Sequence, residues 1–151
     1  MEKEGTSARV NLGGVINEDA EIPLQKIGGD LAGFTRASFN FAAVKSINSL
    51  GVRAWVTFLR SIEDGREVVF EECVPDVIMQ INMIPSFQGK ALIKSFFVNY
   101  VSPSTDKTQR ILVDTSTLPP KTMPVPPTCG DSGEPMETEE LEEEYFAFLM
   151  R

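Results

Sequence analysis

Histidine is absent from all 151 residues. That absence removes Ser-His-Asp and Cys-His nucleophilic systems, HExxH metalloproteases and His-rich metal sites, each of which needs an imidazole as base or ligand. Only carboxylate chemistry is left to an enzyme reading, and no pair of acids stands out by its spacing, so the chain is expected to be non-enzymatic. Cysteine is scarce as well, with Cys73 and Cys129 the only two. Two thiols build no disulfide framework, although the count alone permits one bridge. The opening Met-Glu-Lys-Glu-Gly-Thr-Ser lacks the apolar run of an export signal, so reduced thiols and a cytoplasmic location are expected.

Long apolar runs are missing too. No stretch approaches the roughly 18–20 residues that cross a bilayer, and no membrane association is expected. Basic clusters are also lacking: the 14 Lys and Arg are dispersed, whereas phosphate neutralisation needs them grouped, so nucleic-acid binding is not expected. Against 22 acids they leave a formal charge of −8. The imbalance is local. Residues 1–130 carry 14 acidic and 13 basic side chains, net −1, while residues 131–151 carry 8 acids against Arg151 alone, net −7. With 42% apolar and 24% charged residues, the chain as a whole has an ordinary globular composition.

Apolar patterning predicts strands at 8–16, 36–44, 67–71, 91–101 and 109–113. The clearest helix covers 49–62, where Val52, Trp55, Val56, Leu59 and Ile62 recur at helical spacing behind two candidate N-caps, Asn48 and Ser49. A second helix is predicted at 76–83, opened by Pro75 and ended by Pro85, with residues 86–90 as a turn. Between 21 and 33, Pro23 and the Gly28-Gly29 pair argue for a loop holding one short helical turn. Strands 36–44, 67–71 and 92–100, joined by helices, make two βαβ units whose right-handed crossovers put the helices on one face. The expected fold is therefore α/β, a mixed sheet of about four to five strands with helices mainly on one side, followed by a C-terminal strand/loop extension.

From Thr115 the character changes. Six of the ten prolines fall between Leu118 and Pro135, six glutamates occupy residues 137–144, and Tyr145-Phe146-Ala147-Phe148-Leu149-Met150 closes the chain. Docking of that aromatic patch on the domain is the first reading, and a partner-binding peptide is the second. The glutamates read as a solvated face or a helix start, and no Asp-x-Asp-x-Asp-Gly calcium loop is present. Cys73, in a Glu-Glu-Cys-Val-Pro turn, has no basic neighbour to activate it and reads as structural. Met79, Met83 and Met123 read as core or gap filling. Gly13-Gly14 and Gly28-Gly29 lack the context of phosphate loops.

The segment Lys45-Ser46-Ile47-Asn48-Ser49-Leu50-Gly51-Val52-Arg53 joins a buried strand to the Trp55 helix, at the carboxyl edge where α/β sheets usually meet ligands and partners. Alone it reads as a helix cap, with Asn48 or Ser49 satisfying free amides and Gly51 allowing close packing. The strand, the SINSLGV motif and the amphipathic helix together resemble the STAS domain, the family of anti-sigma-factor antagonists and of cytoplasmic domains of sulfate transporters. In that family a D-S-S-G-L-G motif starts the helix, and its second serine is phosphorylated by a kinase that is also an anti-sigma factor. Asn48 matches the aspartate, Ser49 the first serine, Leu50 the phosphorylated serine, Gly51 the glycine and Val52 the leucine. Arg53 replaces the last glycine. Leucine accepts no phosphoryl group, so the usual switch is expected to be missing.

A closer likeness is to a bacterial STAS-like group that reads S-I-N-S-x-G-I-R-x-W here, continues with Q-I-N-M, and ends in a zinc ribbon closing on E-Y-F-A-F-L. Ser46 to Trp55, Gln80-Ile81-Asn82-Met83 and Glu144 to Leu149 match these three stretches. The resemblance implies a STAS-like domain at 8–101 and a zinc-ribbon-like acidic extension at 102–151. It places the four metal ligands at Ser102, Thr105, Cys129 and Ser132, where one thiol of four survives. An empty, degenerate site with the ribbon held by packing, or a partly disordered linker, is the expectation, with no metal and no cofactor. By the same resemblance the function is that of a regulatory module binding a protein, such as an anti-sigma factor or kinase-like regulator, through Asn48, Ser49, Leu50, Gly51 and Arg53. The alternative is a sensor whose sheet edge binds a nucleotide or lipid. A pocket lined by Asn48, Ser49 and Arg53 would favour that alternative, and a flat edge would favour protein docking.

Overall fold

The computed structural model describes residues 1–130 and 133–151. Strand β1 (Glu2–Glu4) turns at Gly5, whose φ of +57° suits glycine, and pairs antiparallel with β2 (Ser7–Ile16). A 3-10 turn at Glu18–Ala20 leads into helix α1 (Glu21–Asp30), followed by β3 (Arg36–Ile47), α2 (Ser49–Ile62) and β4 (Glu67–Glu71). Two further helices, α3 (Pro75–Met83) and α4 (Pro85–Gln88), precede the short β5 (Leu92–Ile93). Strands β2 to β5 pair in parallel, giving a mixed five-stranded sheet in the order β1-β2-β3-β4-β5. The fold is α/β, as the patterning predicts. Each parallel strand lies beside the next in sequence, so successive right-handed crossovers carry the helices to the same face.

That face is aromatic because Val10, Phe39 and Phe70 lie in register across three strands. Trp55 of α2 packs on them, with ring centroids 5.2 Å from Phe39, 5.5 Å from Phe41, 5.8 Å from Phe70 and 5.7 Å from Phe87 of α4. Its indole N–H donates to the Phe87 carbonyl at 2.9 Å, so the polar atom of a fully buried side chain is satisfied. Side chains one step along the strands point the other way. There Arg9 lies 2.9 Å from Glu71, 3.4 Å from Glu72 and 3.8 Å from Glu2, Lys94 lies 3.8 Å from Glu71, and the Asn40 amide donates to Glu72. Opposite charges are thus matched along this face from β1 to β4, around the buried Asn40 and Val69.

The predicted loop at 21–33 is instead a ten-residue helix, α1. Pro23 is its third residue, where the first-turn N–H groups have no intrahelical partner and proline removes nothing. Gly28 packs on α2: a Cβ there would meet Phe58 at 3.6 Å and Ile62 at 3.9 Å. Arg66 ties the ends of α1 and α2, donating to the carbonyls of Leu31 (3.1 Å), Ile62 (2.6 Å) and Phe34 (2.8 Å). Its charge sits at the negative ends of two helix dipoles.

The predicted strand at 91–101 divides. Residues 92–93 pair with β4, whereas β6 (Ser95–Val101) leaves the main sheet and forms the centre of a second, antiparallel one with β7 (Thr108–Asp114) and β8 (Glu137–Thr138), in the order β7-β6-β8. A final helix α5 (Glu142–Tyr145), with three exposed glutamates in its first turn, and a 3-10 turn at Ala147–Met150 close the described chain. Tyr145, Phe146 and Phe148 are buried, with Phe148 edge-on to Phe96 at 5.0 Å. The Tyr145 hydroxyl donates to the Phe97 carbonyl at 2.6 Å, and Asn82 donates to the Tyr145 carbonyl at 2.9 Å. The aromatic patch is docked on its own chain, and one continuous core runs through both sheets.

Two smaller expectations are corrected. Pro85 ends α3 but also opens α4, since its missing N–H is tolerated at a first position. Met79, Met83 and Met123 are exposed, not core, because the apolar stripe of α3 is supplied by Val77, Ile78 and Ile81. Among the described residues no helix is long and apolar enough to cross a membrane.

Candidate functional site

Strand β3 ends at Ile47, and Asn48 remains extended (φ −100°, ψ 175°) as the N-cap of α2. Its side-chain oxygen accepts from the Gly51 N–H at 2.8 Å, while its amide donates to Glu18 at 3.2 Å and its backbone N–H donates to the Ile16 carbonyl at 3.1 Å. A backbone hydrogen bond at Glu18, and then the Asn48 amide, hold the Glu18 carboxyl below its usual range. Gly51 lies against the end of β2: a Cβ there would sit 2.1 Å from the Ile16 carbonyl oxygen. The helix start is thus fastened to β2 and to the 3-10 turn after it.

The five residues singled out in the sequence divide into two groups. Asn48 and Gly51 hold the loop together. Ser49, Leu50 and Arg53 point outward: Leu50 is 50% exposed, Ser49 and Arg53 are also exposed, and among the described residues neither makes a hydrogen bond or ion pair. Asn48 alone is the cap, which leaves the Ser49 hydroxyl presented to solvent.

Beside this start runs a groove of about 630 Å³ between α1 and α2. Leu24, Ala54, Phe58 and Ile62 line it, while Leu50, Arg53, Glu18 and Glu21 stand at one end. Asn48 and Ser49 are not among its walls. The sequence hid this feature because half of it is α1, whose helical character was masked by Pro23 and the glycine pair. The signal that could have found it was Ala20, Leu24, Ile27 and Leu31, which recur at helical spacing and sit in or against the core.

The positions matched to zinc ligands lie in two turns of the same build. In the first, the Ser102 N–H donates to the Lys107 carbonyl (2.8 Å) and the Asp106 N–H to the Ser102 carbonyl (3.0 Å). In the second, the Cys129 N–H donates to the Glu134 carbonyl and the Gly133 N–H to the Cys129 carbonyl, both at 2.8 Å. Asp106 (φ +58°) and Gly133 (φ +71°) take the left-handed conformation at the equivalent place. The turns face each other, with Thr105 Oγ1 3.9 Å from Cys129 Sγ, and Ser102 is fully buried. Ser132 lies outside the described residues. Two hydroxyls and one thiol do not suit Zn²⁺, which takes thiolate, imidazole or carboxylate donors. Among the described residues no three Cys, Asp or Glu side chains converge as ligands.

Cys73 is fully buried, and burial followed by the charge of Glu71 pushes its thiol pKa far up. A group held so firmly neutral is no nucleophile. No protein-family model and no curated protein matches this chain.

Proposed function

We propose that the chain is a non-enzymatic, STAS-like regulatory module that docks a partner protein on the start of α2 and the surface beside it. One observation carries the reading. Ser49, Leu50 and Arg53 project from a helix start made rigid by the Asn48 cap and the Gly51 contact. An exposed leucine beside an arginine that has no ion-pair partner among the described residues, both on a preorganised element, is the kind of surface that yields binding energy at little ordering cost.

In relatives that carry serine at the Leu50 position, a phosphoryl group adds about −1.5 to −2 charge and switches docking off. Leu50 forbids that switch, so docking here is constitutive or is controlled elsewhere. The partner belongs to the class of anti-sigma factors or kinase-like regulators. The paired turns at Ser102 and Cys129 are consistent with a zinc ribbon that has lost its ligands and is held by the docked C-terminal aromatics. Two buried cysteines suit a reducing cytoplasm. The small-ligand alternative finds less support: of Asn48, Ser49 and Arg53, Arg53 alone lines the groove between α1 and α2.

Affinity capture from the native cell with intact protein and with a Ser49→Asp, Arg53→Glu double variant tests the proposal. Loss of one specific protein, with an unchanged circular dichroism melt, is expected. Equal recovery by both baits would refute docking at this site.

A further inference from the structure

We infer that the groove between α1 and α2 receives an amphipathic helix of the partner protein; this rests on the docking reading and extends it from the start of α2 along the length of that helix. The lining residues fall at helical intervals on both walls. Glu21, Leu24, Gln25 and Gly28 make one face of α1, and residues 50, 53/54, 57/58 and 61/62 make one face of α2. At 1.5 Å per residue, the α2 wall from Leu50 to Ile62 is ~18 Å long and the α1 wall from Glu21 to Gly28 is ~10 Å long, so about two turns of helix are held between both walls. Its floor is apolar through Leu24, Ala54, Phe58 and Ile62. Gly28 keeps one wall low, since any side chain there would stand over Phe58.

Charge gives the occupant a direction. Glu18 and Glu21 stand at one end with Arg53 close by along α2, and among the described residues neither Glu21 nor Arg53 has an ion-pair partner. A matching helix carries apolar anchors at i, i+4 and i+7, a basic residue toward Glu18 and Glu21, and an acid toward Arg53. Such anchors laid in an apolar groove are a recurrent mode of peptide recognition. Small-molecule sites enclose roughly 70–90% of their ligand. This trough is only half enclosed, with Gln25, Thr57 and Ser61 exposed on its walls, so a helix that keeps its own polar face in water fits it better than a small molecule does.

The test places the photo-cross-linking residue p-benzoylphenylalanine at Ser49, Thr57 or Ser61, and at Asn11 on the opposite sheet face as control, in the full chain expressed in its native cell. Cross-links from all three α2 positions, mapping by mass spectrometry to one helix-forming segment of the stated pattern, are expected. An Ala54→Trp variant that fills the trough should lower the yield from Thr57 and Ser61 by about tenfold or more while melting at the unaltered temperature. Cross-links from Ser49 without any from Thr57 or Ser61 would overturn the groove and leave the docking module standing. No cross-link from any α2 position, or equal yield from Asn11, would overturn both. A segment without helical apolar spacing would sink the helix-in-groove reading. So would a small amphiphile seen in native mass spectra of the purified protein and lost on Ala54→Trp.

Discussion

A glycine at position 51 is needed for space, not for backbone freedom. Its φ is helical, yet the smallest added side chain would enter the Ile16 carbonyl, a backbone atom of an ordered strand that cannot swing aside. Gly51→Ala should therefore cost about 3 kcal/mol, the upper range for overpacking, as read by urea unfolding followed through the fluorescence of Trp55. A loss under about 0.5 kcal/mol would show that the loop yields, and would weaken the claim of a rigid platform. Cys73 offers a second residue-scale prediction. Its pKa is raised on folding, so its contribution is complete below the unfolded-state value near 8.5 and declines as pH climbs toward the folded value. Stability should fall by about 1.4 kcal/mol per pH unit from about pH 8.5 upward, and Cys73→Ala should flatten that limb until the tyrosines begin to ionise. Tyr145 and Tyr100, both also shifted up by burial, extend the decline at higher pH. A wild-type stability level between pH 8.5 and 9.5 would contradict this.

At the scale of elements, legibility in the sequence followed periodicity. Helix α2 was readable to its ends because Val52, Trp55, Leu59 and Ile62 mark its buried stripe and Asn48 is a strong cap. Strand β4 was equally plain from Val68-Val69-Phe70 between turn residues. Helix α1 was not, because Leu24 is its only buried side chain and its Gly28 substitutes close approach for an apolar contact. The break at Lys94 was also read through: the apolar run from Ala91 to Val101 is interrupted by Lys94-Ser95 and Asn99, but nothing in that stretch says that residues after Lys94 pair with β7 and β8 instead of β4. Pairing partners are set by tertiary contacts, here by Phe96 meeting Phe146 and Phe148 from the far end of the chain. The site inherits the same division. Its helix start was legible residue by residue, and its groove was hidden with α1.

At the scale of the whole molecule, −7 of the net charge of −8 falls in residues 131–151, the end of the extension that closes the second sheet. That extension turns back on β6 through Tyr145, Phe146 and Phe148 and joins the core of the body. If it is a zinc ribbon that lost its ligands, the geometry for binding should outlast the chemistry. Two turns with matched hydrogen bonds and a 3.9 Å approach of Thr105 to Cys129 already bring one position from each turn to a common point. Supplying the thiolates by Ser102→Cys, Thr105→Cys and Ser132→Cys, beside native Cys129, gives two C-x-x-C pairs and a closed tetrahedral shell. The triple variant should bind about one zinc per chain by elemental analysis, melt at a higher temperature when loaded, and lose that gain with a chelator, because metal held only by the folded form stabilises it. The native protein should melt at the same temperature with or without chelator. A folded triple variant that takes up no zinc would mean the two turns are an ordinary pair of β-hairpin ends, and the ribbon reading of residues 102–151 would fall with it.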